Sequence, residues 1–583
     1  MDGLQGRRRW TGWIGLPRRI AVAVLPCLTA SVIGCGGGGT GEPRDVAEPH
    51  DAVDSLDLAA DAAPEASLAV AFPADFRFGA ATAAHQIEGN QQNSWTQFET
   101  LPAFAGKTRE PSGIAVDHYR RYAEDLDHAA WMGLDVFRMS VEWSRVEPAR
   151  GRFDETAISH YRDVLLAARQ RGIRPSVTLH HFTDPVWFAN LSRMAEPFND
   201  TFCASGPSDE DFCWWTNPDS PAVFAEYCAR MAEEYGDLVD EWWTFNEAQG
   251  YWFAATVTGE FPPSLSVDLF SFRPEDLERF AWPVMRNMLS AHAACYRAIH
   301  ERDRTDADED GRAARVGVTV GAGIVRPADP DREEDVAAAA QAQWVAAFQF
   351  TDPLATGGLD TDFDAEPDES HPEWAGTLDL YGLQYYFSTV VVGFRINPMI
   401  RGVPCLATGD ALLDGLLIEN GCPPPPTPDF PFYDPPDTPV FGRQHDPEGL
   451  WEMLRLVHGR YPAVPIVITE NGFANDDRKR AFSIVRHLKA CADAIADGVP
   501  LEGYYHWSLL DNFEWGEGFR IRFGLMRVDY EHDLARSPTQ AAHLYRAITG
   551  ARGLTREIWE TYGGTGPIPA GPGSRPARTA GTG

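Results

Sequence analysis

Two carboxylates in this chain each stand at the end of an apolar run that favours a β-strand. Ile466–Thr469 leads directly into Glu470, and Trp242–Phe245 leads through Asn246 into Glu247. Two carboxylates brought together at strand ends are the arrangement that hydrolysis of a glycosidic bond requires. The other interpretation, two unrelated solvated strand ends, is less favourable because both glutamates have an asparagine beside them.

The two carboxylates would have different tasks in such a reaction. Substitution at an acetal carbon needs one carboxylate ionised to attack and the other protonated to release the alcohol. Arg138 is expected to lower the pKa of Glu470 by favouring its anion, and a dry position flanked by tryptophans is expected to raise the pKa of Glu247. Carboxyl groups about 5–5.5 Å apart give retention at the anomeric carbon, whereas a wider gap gives inversion.

From residue 70 onward, strand-like runs alternate with amphipathic helical patterns. Eight such runs with helices between them predict an α/β fold, a (β/α)8 TIM barrel, formed as one catalytic domain with long inserted loops. A doubly wound sheet is the alternative, but it would gather its polar residues at one switch point. The predicted strands are Phe76–Ala81, Val136–Ser140, Arg174–His180, Glu241–Phe245, Val316–Val320, Leu378–Leu383, Pro465–Thr469 and Gly503–Trp507.

Polar and aromatic side chains stand at the ends of nearly all these strands. A barrel under selection for stability alone has no need of such groups on that rim, whereas a sugar site would use them. They are Gln86 with Glu88, Arg138, His181, Asn246 with Glu247, Tyr385 with Tyr386, Glu470, and Trp507.

Four phrases in this order resemble glycoside hydrolase family 1, the β-glucosidase family, over roughly residues 72 to 550. They are Phe76–Gly89, Thr244–Glu247, Ile468–Gly472 and Trp507–Trp515. The resemblance implies a (β/α)8 barrel that hydrolyses β-glycosides with retention. It also implies that Glu470 is the nucleophile and that Glu247 is the general acid/base.

The same resemblance assigns binding roles to eight further residues. Asn246 would hydrogen-bond the sugar 2-hydroxyl, Arg138 would lie beside the nucleophile, and Tyr386 would contact it. Trp507 would form the platform under the ring. The residues that would hold the 3-, 4- and 6-hydroxyls are Gln86, His181, Glu514 and Trp515.

Two positions depart from the family pattern without removing a catalytic group. Ala248 follows the acid/base where the family usually has proline, and Gln384 precedes the two tyrosines where it usually has asparagine. Either change can shift the second tyrosine or a contact to the leaving group.

The loops at about 190–215 and 392–440 are also long. We expect them to narrow the cleft, to contact the leaving group or to bind a partner; plain surface insertions are the alternative.

Charge and composition limit the partners. The chain has 583 residues with 50 lysines and arginines against 85 aspartates and glutamates, a formal net charge of −35. Nucleic acid and anionic membrane surfaces are therefore unfavourable partners for the body of the protein. The expected partner is a small β-glycoside or oligosaccharide. Because no CxxC or HExxH motif or His/Cys cluster occurs, neither a metal nor a cofactor is expected.

Residues 1–35 are typical of an export signal. Five arginines precede the apolar run Ile20–Ile33, and the sequence from Val32 to Cys35 resembles the lipobox of bacterial lipoproteins, whose cysteine is lipidated. This pattern predicts an exported lipoprotein anchored to a membrane, in the periplasm or on the cell surface. An ordinary signal peptide, which would give a secreted protein, and an uncleaved anchor are the alternatives.

The composition also predicts the domain limits. Residues 36–70 combine a glycine run with proline, alanine and spaced acids, which predicts a disordered acidic linker. The glycosidase domain is expected over 71–552. A C-terminal tail is expected over 553–583, with its last part disordered.

Seven cysteines lie beyond the signal and linker. Loop positions make Cys203 with Cys213, and Cys405 with Cys422, disulfide candidates in an oxidising compartment. The other three lie in helical patterns and are expected to be buried thiols: Cys228, Cys295 and Cys491.

Together these features predict a retaining, exo-acting β-glycosidase, with β-glucosidase as the favoured activity and some tolerance of β-galactosides or β-fucosides. A transglycosidase, which transfers the sugar to an alcohol, is the alternative within the enzyme class. A catalytically silent sugar-binding lipoprotein is the alternative outside it.

Overall fold

The computed structural model describes residues 68–193, 203, 206–208, 211–267, 274–395, 399–405, 415, 417–423, 445–474 and 476–564. The predicted signal, Cys35, nearly all of the predicted linker and the end of the predicted tail lie outside these residues.

Eight parallel strands close into a barrel in which each strand pairs with the next in the chain, and the last pairs with the first. Nearly every strand residue is buried, as expected for parallel strands that are covered on both faces. This confirms the predicted (β/α)8 fold, with strand ends within a few residues of those predicted. The strands are β1 Arg77–Ala81, β2 Val136–Ser140, β3 Arg174–His180, β4 Glu241–Phe245, β5 Arg315–Gly321, β6 Leu380–Gln384, β7 Ile466–Asn471 and β8 Leu501–Trp507.

One long helix follows each strand and turns an apolar stripe toward the barrel. Side-chain caps begin several of them; Asp154, for example, accepts from the backbone N–H groups of Thr156 and Ala157. The helices are α1 His118–Trp131, α2 Glu155–Gln170, α3 Ser220–Tyr235, α4 Ala281–Arg302, α5 Glu333–Ala347, α6 Pro447–Arg460, α7 Asp477–Ala496 and α8 Gln540–Ala551. None of the helices in the described ranges is long and apolar enough to cross a membrane.

Large and small residues alternate inside the barrel. The Trp243 ring fills the space beside Gly317 and Gly382, where an added Cβ would come within 2.8 Å and 2.9 Å of that ring. Glycine at these two strand positions therefore makes room for the indole. This packing closes the barrel interior beneath the rim that carries Asn246 and Glu247.

The folded domain extends past both predicted limits. Leu68–Ala71, which belongs mostly to the expected linker, pairs antiparallel with Gly553–Thr555 from the expected tail. Arg556–Tyr562 then forms a helix, and the Tyr562 ring packs edge-on against Phe482 of α7. These segments are ordered because the short tail segment contains apolar residues that the barrel helices bury.

Three disulfides are formed among the cysteines that the structure describes. Cys203 bonds Cys213 and Cys405 bonds Cys422, each across a long loop. The expectation of buried thiols at Cys228 and Cys295 was wrong, because a disulfide joins them across 67 residues. The packing of α3 against α4 brings these two helical cysteines together. Cys491 is a free, buried thiol.

Candidate active site

Glu470 lies at the carboxyl end of β7 and is almost fully buried. Its Oε1 accepts hydrogen bonds from Arg138 Nη1 at 2.6 Å and from Gln384 Nε2 at 2.7 Å. Its Oε2 accepts one from the Tyr386 hydroxyl at 2.7 Å. Donors from β2, β6 and the residues after β6 therefore hold both oxygens and orient the carboxylate as a nucleophile requires.

Two opposing effects set the protonation of Glu470. Burial raises the pKa of this carboxyl above its ordinary value, and the Arg138 cation and the Tyr386 hydroxyl oppose that rise. Arg138 lowers the pKa of Glu470, as expected, but the cost of burying the charge outweighs this effect, so the net shift is upward.

Hydrogen bonds to its oxygen hold the side-chain amide of Asn246 in place. Oδ1 accepts from Arg138 Nη2 at 2.6 Å, Gln384 Nε2 at 2.7 Å and Thr319 Oγ1 at 3.0 Å. Nδ2 is buried and has no hydrogen-bond partner among the described residues. The three donors orient the side chain so that its N–H groups remain available for a sugar hydroxyl.

Glu247 follows β4 in a left-handed backbone conformation, with φ of 41°. Its backbone N–H donates to Thr319 Oγ1 at 3.0 Å, and the helix Ala248–Thr256 begins directly after it. The absence of proline at Ala248 therefore does not remove that helix. Left-handed backbone is uncommon for a residue with a side chain and occurs at catalytic positions, where the surrounding structure holds it.

The carboxyls of three glutamates share this site. Burial raises the pKa of the Tyr386 hydroxyl, and the charges of Glu470, Glu247 and Glu514 each add to that rise. The same tyrosine is thus within electrostatic range of all three groups. The structure brings Glu247 and Glu470, predicted from separate strand ends, into one buried pocket.

Gln86 and Glu514 form a polar wall of this pocket. Gln86 Nε2 donates to the Phe513 carbonyl at 2.8 Å, to Asn512 Oδ1 at 3.1 Å and to Glu514 Oε2 at 3.3 Å. Gln86 Oε1 is buried without a hydrogen-bond partner in the described ranges, so it can accept from a sugar hydroxyl.

The surroundings of Glu514 favour its protonated form. Burial and the nearby charge of Glu470 raise the pKa of Glu514 to about 8, against hydrogen bonds from Trp507 and Gln86. A protonated carboxyl both donates and accepts, so this side chain can pair with two neighbouring sugar hydroxyls.

A row of aromatic rings forms the apolar side of the pocket. The His181 ring stacks against Trp507 with centroids 6.1 Å apart and against Trp515 with centroids 6.0 Å apart. Burial and the charge of Arg138 lower the pKa of His181 well below its ordinary value, so the imidazole is neutral. His180, by contrast, packs outward among aromatic rings and contacts Asp184 at 3.1 Å.

Thr319 of β5 is a site residue that the sequence analysis missed. Its hydroxyl donates to Asn246 and accepts from the Glu247 backbone, and so connects the two neighbours. The one sequence signal for this role was the position of a polar threonine inside a valine-rich strand. Gln384 was noted only as a departure, but its amide contacts both Glu470 and Asn246.

We expect activity to fall at acid pH as Glu470 becomes protonated. Because burial raises its pKa from the ordinary 4.5, the acid limb of kcat/KM should lie above pH 4.5. The ionised form attacks, so activity is lost as the pH falls through this pKa. A pH profile with an aryl β-glycoside measures the limb, and one centred below pH 4.5 would contradict the direction.

Gln384→Met should impair catalysis more than binding. The methionine keeps the length of the side chain but removes the donor to Glu470 and Asn246, which should lower kcat/KM roughly 10- to 100-fold. Loss of a donor to the Glu470 anion should also move the acid limb to higher pH. An unchanged limb and an unchanged kcat would show that this amide does not position the nucleophile.

A (β/α)8 barrel with two buried carboxylates and a wall of sugar-hydroxyl partners at the carboxyl end of its strands defines a glycoside hydrolase acting on O-glycosyl bonds. The chain belongs to glycosyl hydrolase family 1, whose family model matches residues 68–192 and 209–554. The short interruption of this match lies in the first long loop.

Similar proteins cover most of the chain. A β-galactosidase of Pyrococcus woesei is 29% identical over 545 residues, covering 84% of this chain and 99% of the relative. The solved β-glycosidase of Pyrococcus horikoshii has a TM-score of 0.67 and 29% identity, over 85% of this chain and 99% of its own. A rice β-glucosidase mutant, solved in a covalent complex with glucose, has a TM-score of 0.66 and 26% identity, over 82% and 99% of the two chains.

Proposed function

We propose that this protein is a retaining, exo-acting β-glycosidase that prefers terminal β-D-glucosyl residues. The observation that carries the proposal is the Glu470 carboxylate, whose two oxygens are fixed by three donors beside the open amide of Asn246. The covalent glucose complex of the rice relative supports the choice of glucose, and the name of the Pyrococcus woesei relative supports tolerance of galactosides.

In the first step Glu470 attacks the anomeric carbon while protonated Glu247 gives its proton to the glycosidic oxygen. The carbon–oxygen bond breaks, the alcohol leaves, and the sugar is esterified to Glu470. In the second step Glu247 takes a proton from water, and the resulting hydroxide displaces Glu470 from the sugar. Arg138 and Tyr386 stabilise the carboxylate that is released.

The wall of the pocket sets which sugars fit. Gln86, Glu514 and Asn246 can each pair with hydroxyls of one terminal ring, and a substrate lacking such a hydroxyl would leave a buried polar group unpaired. This arrangement supports cleavage at the end of a chain.

Initial rates with a panel of nitrophenyl β-D-glycosides test the sugar preference. We expect the glucoside to have the highest kcat/KM, with measurable turnover of the galactoside and fucoside. Preference for another sugar, or release of internal fragments from a longer oligosaccharide, would overturn the proposed substrate. Products that consist mainly of alkyl glycosides when a dilute alcohol is added would identify a transglycosidase.

For location, we propose export and lipid anchoring through Cys35. The basic and apolar sequence of the first 35 residues supports this, and the three disulfides suit an oxidising compartment. Cys35→Ala should move the protein from the membrane fraction to the soluble exported fraction of a bacterial host. An unchanged distribution, with no lipid label on the parent protein, would contradict the anchor.

A further inference from the structure

The loop between α4 and β5 carries a second chemical pattern, at the opposite end of the barrel from the active site. Asp306, Asp308 and Asp310 alternate with other residues, and Gly311 follows. This D-x-D-x-D-G spacing is the first half of the calcium loop of EF-hands, in which positions 1, 3 and 5 supply oxygens and glycine at position 6 makes the sharp turn.

The loop is folded around its first aspartate. Asp306 Oδ1 accepts from the Asp310 N–H at 3.1 Å and Oδ2 from the Gly311 N–H at 2.8 Å. Gly311 has φ of +93°, a conformation that residues with side chains rarely adopt. In an EF-hand the remaining charge comes from a glutamate at position 12. That position here is Gly317, inside β5, so the loop alone is incomplete.

A residue from outside the loop supplies a further carboxylate. Asp240 directly precedes β4 and is 6% exposed. Its Oδ1 accepts from the Ala307 N–H at 2.9 Å, so the carboxylate points into the loop. Its Oδ2 is buried and has no hydrogen-bond partner among the residues that the structure describes. Carboxylate oxygens of Asp240, Asp306 and Asp308 lie within 4.8 Å of one another.

Only one of the three carboxylates, Asp308, forms an ion pair within the described part of the chain. Arg174 Nη1 contacts Asp308 Oδ2 at 3.0 Å, while the guanidinium of Arg169 donates to the Ala307 carbonyl. Among the described residues, neither Asp240 nor Asp306 forms an ion pair with the arginines nearby, and a divalent cation bound between these carboxylates would stabilise their charges.

We propose that Asp240, Asp306 and Asp308 bind a calcium ion that ties the loop between α4 and β5 to the amino-terminal end of β4. All the available ligands are oxygens, and Ca²⁺ accepts irregular sets of oxygen ligands more readily than Mg²⁺, which demands near-ideal octahedral geometry. Neither histidine nor cysteine is among them, which disfavours zinc. The ion would stabilise the fold and take no part in the reaction.

The test uses the full chain after removal of divalent ions with EDTA. Isothermal titration with CaCl2 should show one saturable site, and Tm should rise by about 2 °C or more with Ca²⁺ but much less with equal Mg²⁺. Turnover of an aryl β-glycoside at 25 °C should not change, because the site is remote from the active-site rim.

Two substitutions locate the ion. Asp306→Asn and, independently, Asp308→Asn should abolish the heat signal and the Tm rise. The matched control is Asp362→Asn, in a loop where Asp360, Asp362 and Asp364 repeat the same spacing. In that loop both carboxylate oxygens of Asp360 accept hydrogen bonds from backbone N–H groups. Asp360 therefore has no unpartnered oxygen of the kind that Asp240 has in Oδ2. No calcium heat in the parent protein, or loss of binding in the control alone, would overturn the proposal.

Discussion

Glu470→Gln should reduce turnover by a factor on the order of 10⁴ or more, because the substitution removes the nucleophile itself. An amide is far less nucleophilic, and only one of its two polar atoms can accept the hydrogen bonds that Arg138, Gln384 and Tyr386 now donate. The measurement is kcat with a nitrophenyl β-glucoside on protein whose circular dichroism matches the parent.

Chemical rescue distinguishes a lost nucleophile from a damaged fold. Glu470→Gly opens the face that the carboxylate occupied, so azide should restore part of the turnover and give the α-glycosyl azide. The matched control is Glu234→Gln on the half-exposed surface of α3, which should keep full activity. Normal turnover in Glu470→Gln, or the β-azide from Glu470→Gly, would show that another residue attacks the sugar.

Glu247→Gln should lower kcat about 10²- to 10⁴-fold for substrates whose leaving alcohol needs a proton. The loss in the first step should be small with a dinitrophenyl glycoside, because this phenolate leaves without protonation. The second step should remain slow, since no base activates water, and the glycosyl-enzyme should accumulate as a burst of phenolate. A comparison of leaving groups of different pKa measures this difference.

Azide also tests the role of Glu247, but the expected glycosyl azide has the opposite anomeric configuration. In Glu247→Ala, azide should replace water on the glycosyl-enzyme, accelerate the second step and give the β-glycosyl azide. Equal losses of activity for good and poor leaving groups, with no effect of azide, would contradict the role of Glu247 as general acid/base.

Much of the fold and site was predictable because the signals were local. Each barrel strand is a short, buried, β-favouring run; Glu470 lies at the carboxyl end of such a run, and Glu247 follows another with Asn246 between them. Parallel strands in a barrel have their carboxyl ends on one rim, so residues far apart in sequence could be placed together. The pairing of Gln86 with Glu514, from opposite ends of the domain, follows from the same geometry.

The rest depended on tertiary packing. The disulfide between Cys228 and Cys295 could not be predicted because a cysteine in an amphipathic helix has the same pattern as a buried core residue. The raised pKa of Glu470 reflects how completely the barrel buries it, and sequence names the neighbouring arginine but not the burial. Asp240 illustrates the same limit, since its partners lie in a loop more than 60 residues away.

The measurement that tests the central claim most directly is the anomeric configuration of the sugar at the moment of its release. Hydrolysis of a nitrophenyl β-glucoside, followed by proton NMR before mutarotation, reports it without any substitution. Two successive displacements, by Glu470 and then by water activated by Glu247, predict that β-glucose appears first. Initial release of α-glucose would mean a single displacement by water and would contradict Glu470 as the nucleophile.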